Sequence, residues 1–111
     1  MPASRRPLRG EIWLAALDPT LGSEIQKTRP CVVVSPAEMT EHLNTMVVAP
    51  MTTGSRPAPF RIPITFQRKN GLILLDQLRT LDRQRLVKRL GAATPATLAR
   101  VLEGLQAMFA P

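Results

Sequence analysis

Few side chains in this sequence could carry out acid–base or nucleophilic chemistry, and their types narrow the feasible reactions. The chain has one histidine, His42, and one cysteine, Cys31, which is too few for a two-histidine site or a zinc site. Its acidic residues form no close cluster for two magnesium ions, and no glycine-rich phosphate loop precedes a helix. A Cys31–His42 nucleophilic pair stays open, although the apolar run around Cys31 favours a buried, inert thiol. The sequence therefore predicts no metal and no cofactor.

RNA cleavage needs neither a metal nor a cofactor, because the 2′-hydroxyl of RNA can attack the adjacent phosphorus. Pro30 restricts Arg29 to extended conformations, which places this arginine at the end of a buried strand. There it could stabilise charge on the phosphoryl oxygens, and Thr52 could add a neutral donor. Glu24 could act as the base if partial burial raised its pKa. The plainer alternatives are a solvated Arg29, a Thr52 that serves only in its loop, and a Glu24 that pairs with Lys27 or Arg29.

Bulk composition is consistent with a nucleic-acid partner without requiring one. The 111 residues fit one domain, and 15 Lys+Arg against 8 Asp+Glu give a net charge of +7. Such a charge favours a polyanion, which could be nucleic acid, an acidic protein or a membrane surface. No apolar run is long enough to span a membrane, and no signal peptide is recognisable, so we expect a cytoplasmic protein. Residues 1–9 predict a mobile basic tail, and residues 10–111 a single domain.

The elements that must position these residues are mostly short strands. Trp13 belongs to the first strand and is predicted to lie in the core rather than to serve as a base-stacking platform. The second strand shows no alternation of apolar and polar residues, so both of its faces should be covered. Thr94 and Pro95 begin an amphipathic helix whose apolar stripe, from Leu98 to Phe109, is predicted to cover the sheet. Strands are predicted over residues 11–17, 31–35, 45–49, 60–66, 72–75 and 86–90, and residues 76–81 extend or restart the fifth of these. A short helix is predicted over 37–44 and a tight turn at 69–71. The pattern predicts a mainly β, α+β domain: a small antiparallel, barrel-like sheet with a C-terminal helix.

Five motifs in register resemble MazF/PemK-type toxins. They are Gly10-Glu11-Ile12-Trp13, Asp18-Pro19, Gly22-Ser23-Glu24 with Arg29-Pro30-Cys31-Val32-Val33-Val34-Ser35, Pro50-Met51-Thr52-Thr53, and Asp76-Gln77-Leu78-Arg79-Thr80. The resemblance implies the SH3-like fold shared by MazF and CcdB toxins. It implies a metal-independent, sequence-selective endoribonuclease (an mRNA interferase) that cleaves single-stranded RNA to a cyclic phosphate and a 5′-hydroxyl end. It also implies a homodimer and a cognate MazE-like or other short acidic antitoxin.

The resemblance assigns roles to particular residues. Arg29 and Thr52 match the central catalytic pair, and Glu24 matches a further functional position. The accessory or RNA-binding positions are Lys27, Thr53, Asp76, Gln77 and Arg79. Some members carry an arginine two residues before Asp76, where this chain has Leu74, so Asp76 could be either functional or a structural cap of its turn. The alternative from another class is a CcdB-like toxin that binds gyrase without catalysis; a relative that kept the fold and lost activity is a third.

Overall fold

A computed structural model describes residues 6–111, in which seven antiparallel strands form one curled sheet with a helix at its C-terminal end. The prediction of a mainly β domain with a C-terminal helix is confirmed. The strands are β1 (Glu11–Ala16), β2 (Thr28–Val33), β3 (Thr45–Thr52), β4 (Arg61–Phe66), β5 (Lys69–Leu74), β6 (Arg79–Asp82) and β7 (Leu86–Ala92). The helices are α1 (Ala37–Leu43) and α2 (Pro95–Phe109), and two 3₁₀ turns span Leu75–Gln77 and Arg83–Arg85.

Strand β3 lies at the centre of the sheet, whose strand order is β4-β5-β3-β2-β1-β7. The first half of β3 also pairs with β6, up to Val48 opposite Arg79, and its last two residues pair with β5. The sequence predicted that this strand stops at Pro50, but it runs on to Thr52. Pro50 falls between the residues paired with β6 and those paired with β5, so its missing N–H interrupts neither ladder.

The two faces of the central strands belong to two different core clusters. In β2, Cys31 and Val33 join one cluster, whereas Val32 joins the other with Val101 of α2. The prediction that this strand is covered on both faces is therefore confirmed. Trp13 is buried in the first cluster, as expected, and its indole N–H donates to Glu11 Oε1 at 3.1 Å.

The β4–β5 hairpin turns two residues earlier than the sequence predicted. Gln67 and Arg68 form the turn with φ of 52° and 64°, values typical of a two-residue hairpin loop, and β5 already begins at Lys69.

Gly71 lies inside β5 and is needed there for strand packing rather than for a turn. A Cβ at this position would lie 2.8 Å from the Thr52 carbonyl oxygen, so glycine allows β5 to approach β3. Pro63 lies in β4, the strand at one end of the sheet order, where its missing N–H is tolerated.

Helix α2 begins where its sequence indicates. Thr94 Oγ1 accepts a hydrogen bond from the Thr97 N–H at 3.2 Å, and Pro95 follows in the first turn. Gly104 allows close packing, because a Cβ there would lie 2.6 Å from Cδ1 of the buried Leu75. Val101 is fully buried, but Phe109 is 72% exposed. Met108 of the same turn packs against the second core cluster, so the prediction that the whole apolar stripe covers the sheet is wrong at Phe109 alone among the residues that end α2 on this stripe.

The structure describes residues 6–9 of the predicted N-terminal tail. Residues 1–5 lie outside the described part of the chain. Pro7 is buried, and Arg9 Nε donates to the Val34 carbonyl at 2.9 Å, so the end of the predicted tail contacts the sheet. Within residues 6–111, neither helix is long and apolar enough to cross a lipid bilayer.

Candidate active site

Arg29 and Thr52 lie on the same cavity because strands β2 and β3 separate there. The β2–β3 ladder ends at Cys31 opposite Pro50, beyond which β3 pairs with β5 and Thr52 lies opposite Leu72. The separation leaves a cavity of about 230 Å³, which we call the arginine cavity. It is lined by Arg29, Pro30, Met51, Thr52, Thr53, Ile64, Phe66, Gln67, Lys69 and Gly71.

Hydrogen bonds within the chain leave both groups able to bind an anion. Arg29 is half-buried, and its Nε donates to the Gln26 carbonyl at 2.8 Å, which fixes the guanidinium plane. Its Nη groups donate no hydrogen bond to other residues of the 6–111 range. Thr52 Oγ1 accepts from the Gly54 N–H at 3.2 Å, so the hydroxyl hydrogen remains available to a ligand. The pair can therefore supply a charged fork and a neutral donor to one phosphate.

Lys69 is a second cation on the arginine cavity that the sequence analysis missed. It is exposed at the start of β5 and lines the cavity with Arg29 and Thr52. The reason is the predicted tight turn at residues 69–71, which assigns Lys69 to the turn rather than to a strand. Placing the turn at Gln67 and Arg68 would have carried Lys69 into the strand that pairs with Thr52.

Four of the other predicted site residues, Glu24, Asp76, Gln77 and Arg79, line a second, wider cavity of about 490 Å³, which we call the loop cavity, whereas Thr53 lines the arginine cavity. One wall is the β1–β2 loop and the other follows β5. The lining residues are Ser23, Glu24, Ile25, Pro50, Asp76, Gln77, Leu78 and Arg79. Pro50 lies on this cavity and its neighbour Met51 on the arginine cavity, so the two cavities adjoin across the end of β3.

Glu24 does not have the environment that the base hypothesis required. Its carboxylate is exposed, and Oε1 accepts a hydrogen bond from the Leu21 N–H at 2.6 Å. The partial burial that the base role would call for is thus not found in the described residues, since Glu24 is exposed in the β1–β2 loop. It lines the loop cavity rather than the arginine cavity. Lys27, also in this loop, has φ of 69°, and its exposed side chain lines neither cavity.

Asp76, Gln77 and Arg79 are each bonded within the protein. Asp76 binds Arg61 through both carboxylate oxygens, at 3.1 Å and 3.0 Å, and this hydrogen bonding raises the pKa of Arg61. Gln77 bonds to the backbone of the β1–β2 loop, and Arg79 Nη1 donates to the Leu17 carbonyl at 3.0 Å. All three side chains thus connect elements around the loop cavity.

Cys31 and His42 lie in very different surroundings. Burial raises the pKa of the Cys31 thiol to about 12, although the charges of Arg79 and Arg29 act in the opposite direction. His42 is exposed on α1. The predicted buried role of Cys31 is confirmed, and a thiol with this pKa is a poor nucleophile near neutral pH. In the described range, no three His, Cys, Asp or Glu side chains are grouped so that they could hold a metal ion.

The chain is similar to known proteins in family, in sequence and in structure. A family model described as PemK-like, MazF-like toxin of type II toxin–antitoxin system matches residues 8–109. Endoribonuclease PemK of Escherichia coli is 39% identical over 107 residues, covering 91% of this chain and 80% of the relative. The crystal structure of MazF from Deinococcus radiodurans superposes with a TM-score of 0.82 at 29% identity, covering 92% of this chain and 94% of that one. A mycobacterial endoribonuclease in complex with its cognate antitoxin has a TM-score of 0.76 at 25% identity, covering 91% and 92%.

Proposed function

The chain belongs to the PemK-like, MazF-like toxin family of type II toxin–antitoxin systems, and on that premise we propose that it is a sequence-selective endoribonuclease acting on single-stranded RNA. The observation that carries the proposal is the convergence of Arg29 and Thr52 on one cavity, with Lys69 beside them. A CcdB-like gyrase binder would not need this set of phosphate-binding groups. PemK of Escherichia coli and the mycobacterial protein are both named endoribonucleases, which favours the enzyme over that alternative.

The proposed reaction is an internal transesterification of RNA. The 2′-hydroxyl oxygen bonds to the adjacent phosphorus and gives its proton to a base. The P–O5′ bond then breaks, and the leaving oxygen takes up a proton, which yields a cyclic phosphate and a 5′-hydroxyl end. The protein's main tasks are to align the reacting atoms and to stabilise the added negative charge on the phosphoryl oxygens.

The arginine cavity suits the second of these tasks. Arg29 can place its Nη groups on two phosphoryl oxygens, and the Thr52 hydroxyl can donate to a third polar atom. An arginine side chain, with a pKa above about 12, is a poor proton carrier near neutral pH, so we assign Arg29 as a phosphate clamp. We keep Glu24 as the proposed base despite its exposure, because the other carboxylate that lines the loop cavity, Asp76, is ion-paired with Arg61. Glu24 then reaches the substrate from the loop.

The wider assignment follows the same family premise. We propose that residues 10–111 form the toxin domain, that it acts in the cytoplasm, and that a short acidic antitoxin competes with RNA for the cationic surface around Arg29. The net charge of +7 favours both acidic partners. We further propose a symmetric homodimer, in which a second copy covers apolar residues such as Phe109 that a single chain leaves exposed.

The decisive experiment is cleavage of a single-stranded RNA pool by the purified protein in excess EDTA, with sequencing of the new ends. We expect cleavage at a restricted set of sequences and cyclic phosphate on the upstream fragments. An Arg29→Ala preparation, purified in parallel, controls for contaminating ribonuclease. Loss of all activity in EDTA with recovery on adding magnesium would contradict the proposed mechanism.

A further inference from the structure

We propose that Gln77 is a positioning residue that holds the β1–β2 loop against the loop cavity, and that this loop wall sets which RNA sequences are cleaved. The inference rests on the proposed endoribonuclease function and adds a role for the second cavity. It differs from the sequence-based expectation that Gln77 contacts RNA directly. The side-chain amide is already bonded on both its atoms to the protein's own backbone.

The contact is a two-point clamp between distant parts of the chain. Gln77 Oε1 accepts a hydrogen bond from the Ile25 N–H at 2.6 Å, and Gln77 Nε2 donates to the Ser23 carbonyl at 3.3 Å. The two backbone groups flank Glu24, whose carboxylate lines the same cavity. A primary amide is suited to this pairing because it offers one acceptor and one donor in a fixed plane.

The position of Gln77 is itself fixed from behind. It ends the 3₁₀ turn Leu75–Gln77, in which Leu75 is fully buried. The preceding residue, Asp76, is held by both oxygens on Arg61 at the start of β4. The clamp therefore transmits the position of a packed turn to a loop whose residues Leu21 to Glu24 are otherwise exposed.

The location of the clamp gives it a consequence for specificity. The loop cavity adjoins the arginine cavity across Pro50 and Met51, so a strand with its reacting phosphate on Arg29 would place neighbouring nucleotides in the loop cavity. Its volume of about 490 Å³ accommodates a nucleotide. Discrimination between bases requires polar groups held in fixed places, and here the clamp fixes the loop that carries several of them.

The clamp itself can be tested without any activity measurement. In Gln77→Ala, native-state hydrogen exchange of the Ile25 amide should accelerate at least about tenfold, because its acceptor is gone. Core amides such as Val32 should be unchanged. Gln77→Glu is a second, nearly isosteric variant, which keeps an acceptor for Ile25 but places a carboxylate oxygen against the Ser23 carbonyl. Gln106→Ala, an exposed glutamine on α2, is the matched control. Unchanged Ile25 exchange in both Gln77 variants would overturn the clamp.

The functional part is tested by sequencing cleavage ends from a random single-stranded RNA pool. We expect both Gln77 variants to cleave with broadened selectivity, the preference for the best site over its single-base neighbours falling about tenfold or more. The Gln106→Ala profile should match the wild type. A Gln77→Ala protein with rapid Ile25 exchange and an unaltered cleavage profile would refute the specificity role while leaving the endoribonuclease assignment standing. Absence of cleavage by the wild-type protein would instead reject the proposed function, and the specificity role with it.

Discussion

Arg61 and Asp76 form a two-pronged ion pair, with Nε 3.1 Å from Oδ1 and Nη2 3.0 Å from Oδ2. Arg61 lies directly opposite Leu74 in the β4–β5 ladder. Leu74 itself is fully buried, and the guanidinium partner of Asp76 comes from the neighbouring strand β4.

This pairing predicts a structural role for Asp76. Asp76→Asn should lower the rate of RNA cleavage by less than about tenfold, whereas loss of a charge-stabilising donor typically costs about 10²–10³-fold. The partly exposed ion pair should contribute little to the free energy of unfolding, because solvent screens it. Single-turnover cleavage and urea unfolding of Asp76→Asn and Arg61→Gln would check both expectations. A rate loss for Asp76→Asn alone, as large as that for Arg29→Ala, would establish a direct role for the carboxylate.

Arg29 and Thr52 should dominate the chemistry. We expect Arg29→Ala to reduce the single-turnover rate constant by about 10²–10³-fold, and Thr52→Val, which keeps the shape, by a similar factor. Arg29→Lys should recover only part of the loss, because an ammonium cannot bind two phosphoryl oxygens as a planar fork does. Circular dichroism and thermal unfolding serve as controls for folding. Near-normal rates in Arg29→Ala would rule out the assigned phosphate clamp.

Parts of the fold that depend on neighbouring residues could be predicted from the sequence, whereas parts that depend on pairing between distant strands could not. Local signals were sufficient for α2, because the Thr94 cap and the apolar spacing are properties of neighbouring residues. The end of β3 was not predictable, since Pro50 is tolerated only because the strand changes partners there. The hairpin turn was misplaced because Gly71 suggested a turn, while its actual function is to allow β5 to approach Thr52.

In the candidate site, too, local patterns identify some residues, whereas contacts between distant residues determine the others. Arg29 and Thr52 could be identified from their prolines and their family motifs, and the structure places both on one cavity. Lys69 was missed because its place on that cavity follows from strand register. The clamp of Gln77 on Ile25 joins residues 52 positions apart, and no local pattern encodes such a contact.

Lys69 should contribute to RNA binding more than to the chemical step. It is an exposed ammonium on the rim of the arginine cavity, so its attraction to phosphate is long-range and sensitive to salt. Lys69→Ala should raise KM several-fold at low salt with little change in kcat, and the defect should shrink as salt increases. Lys88→Ala, an exposed lysine on β7 that lines neither cavity, is the matched control. Equal effects of the two substitutions would show that only net charge matters.

Glu11 should make folding sensitive to acid. Burial alone would raise the pKa of this carboxylate, but bonds from the Leu8 N–H, the Trp13 indole and Arg89 together lower it below its ordinary value. A carboxylate with a lowered pKa in the folded state stabilises the protein above its unfolded pKa, and the stabilisation is lost as pH falls through the folded pKa. Glu11→Gln should therefore lower the free energy of unfolding at pH 7, and the difference from wild type should narrow as pH falls below the ordinary glutamate pKa of about 4.3. Urea unfolding across this range, with exposed Glu103→Gln as control, measures the effect; a difference constant with pH would contradict it.

Gly71 provides the sharpest link between sheet packing and the proposed chemistry. Its absent side chain leaves room for the Thr52 carbonyl, and an added Cβ would lie only 2.8 Å from that oxygen and 3.6 Å from Thr53 Cγ2. The obstruction is backbone rather than a flexible side chain, so Gly71→Ala must push β5 and the end of β3 apart. We expect a loss of about 1–3 kcal/mol in the free energy of unfolding, typical of overpacking. Because Thr52 moves with its backbone, the single-turnover rate should fall about tenfold or more even at temperatures where the variant is fully folded.

Gly54→Ala is the matched control for Gly71→Ala, since a Cβ at position 54 would lie 3.9 Å from Thr52 Oγ1, an ordinary contact. A folded Gly71→Ala variant with wild-type turnover would mean that the position of Thr52 does not limit the reaction.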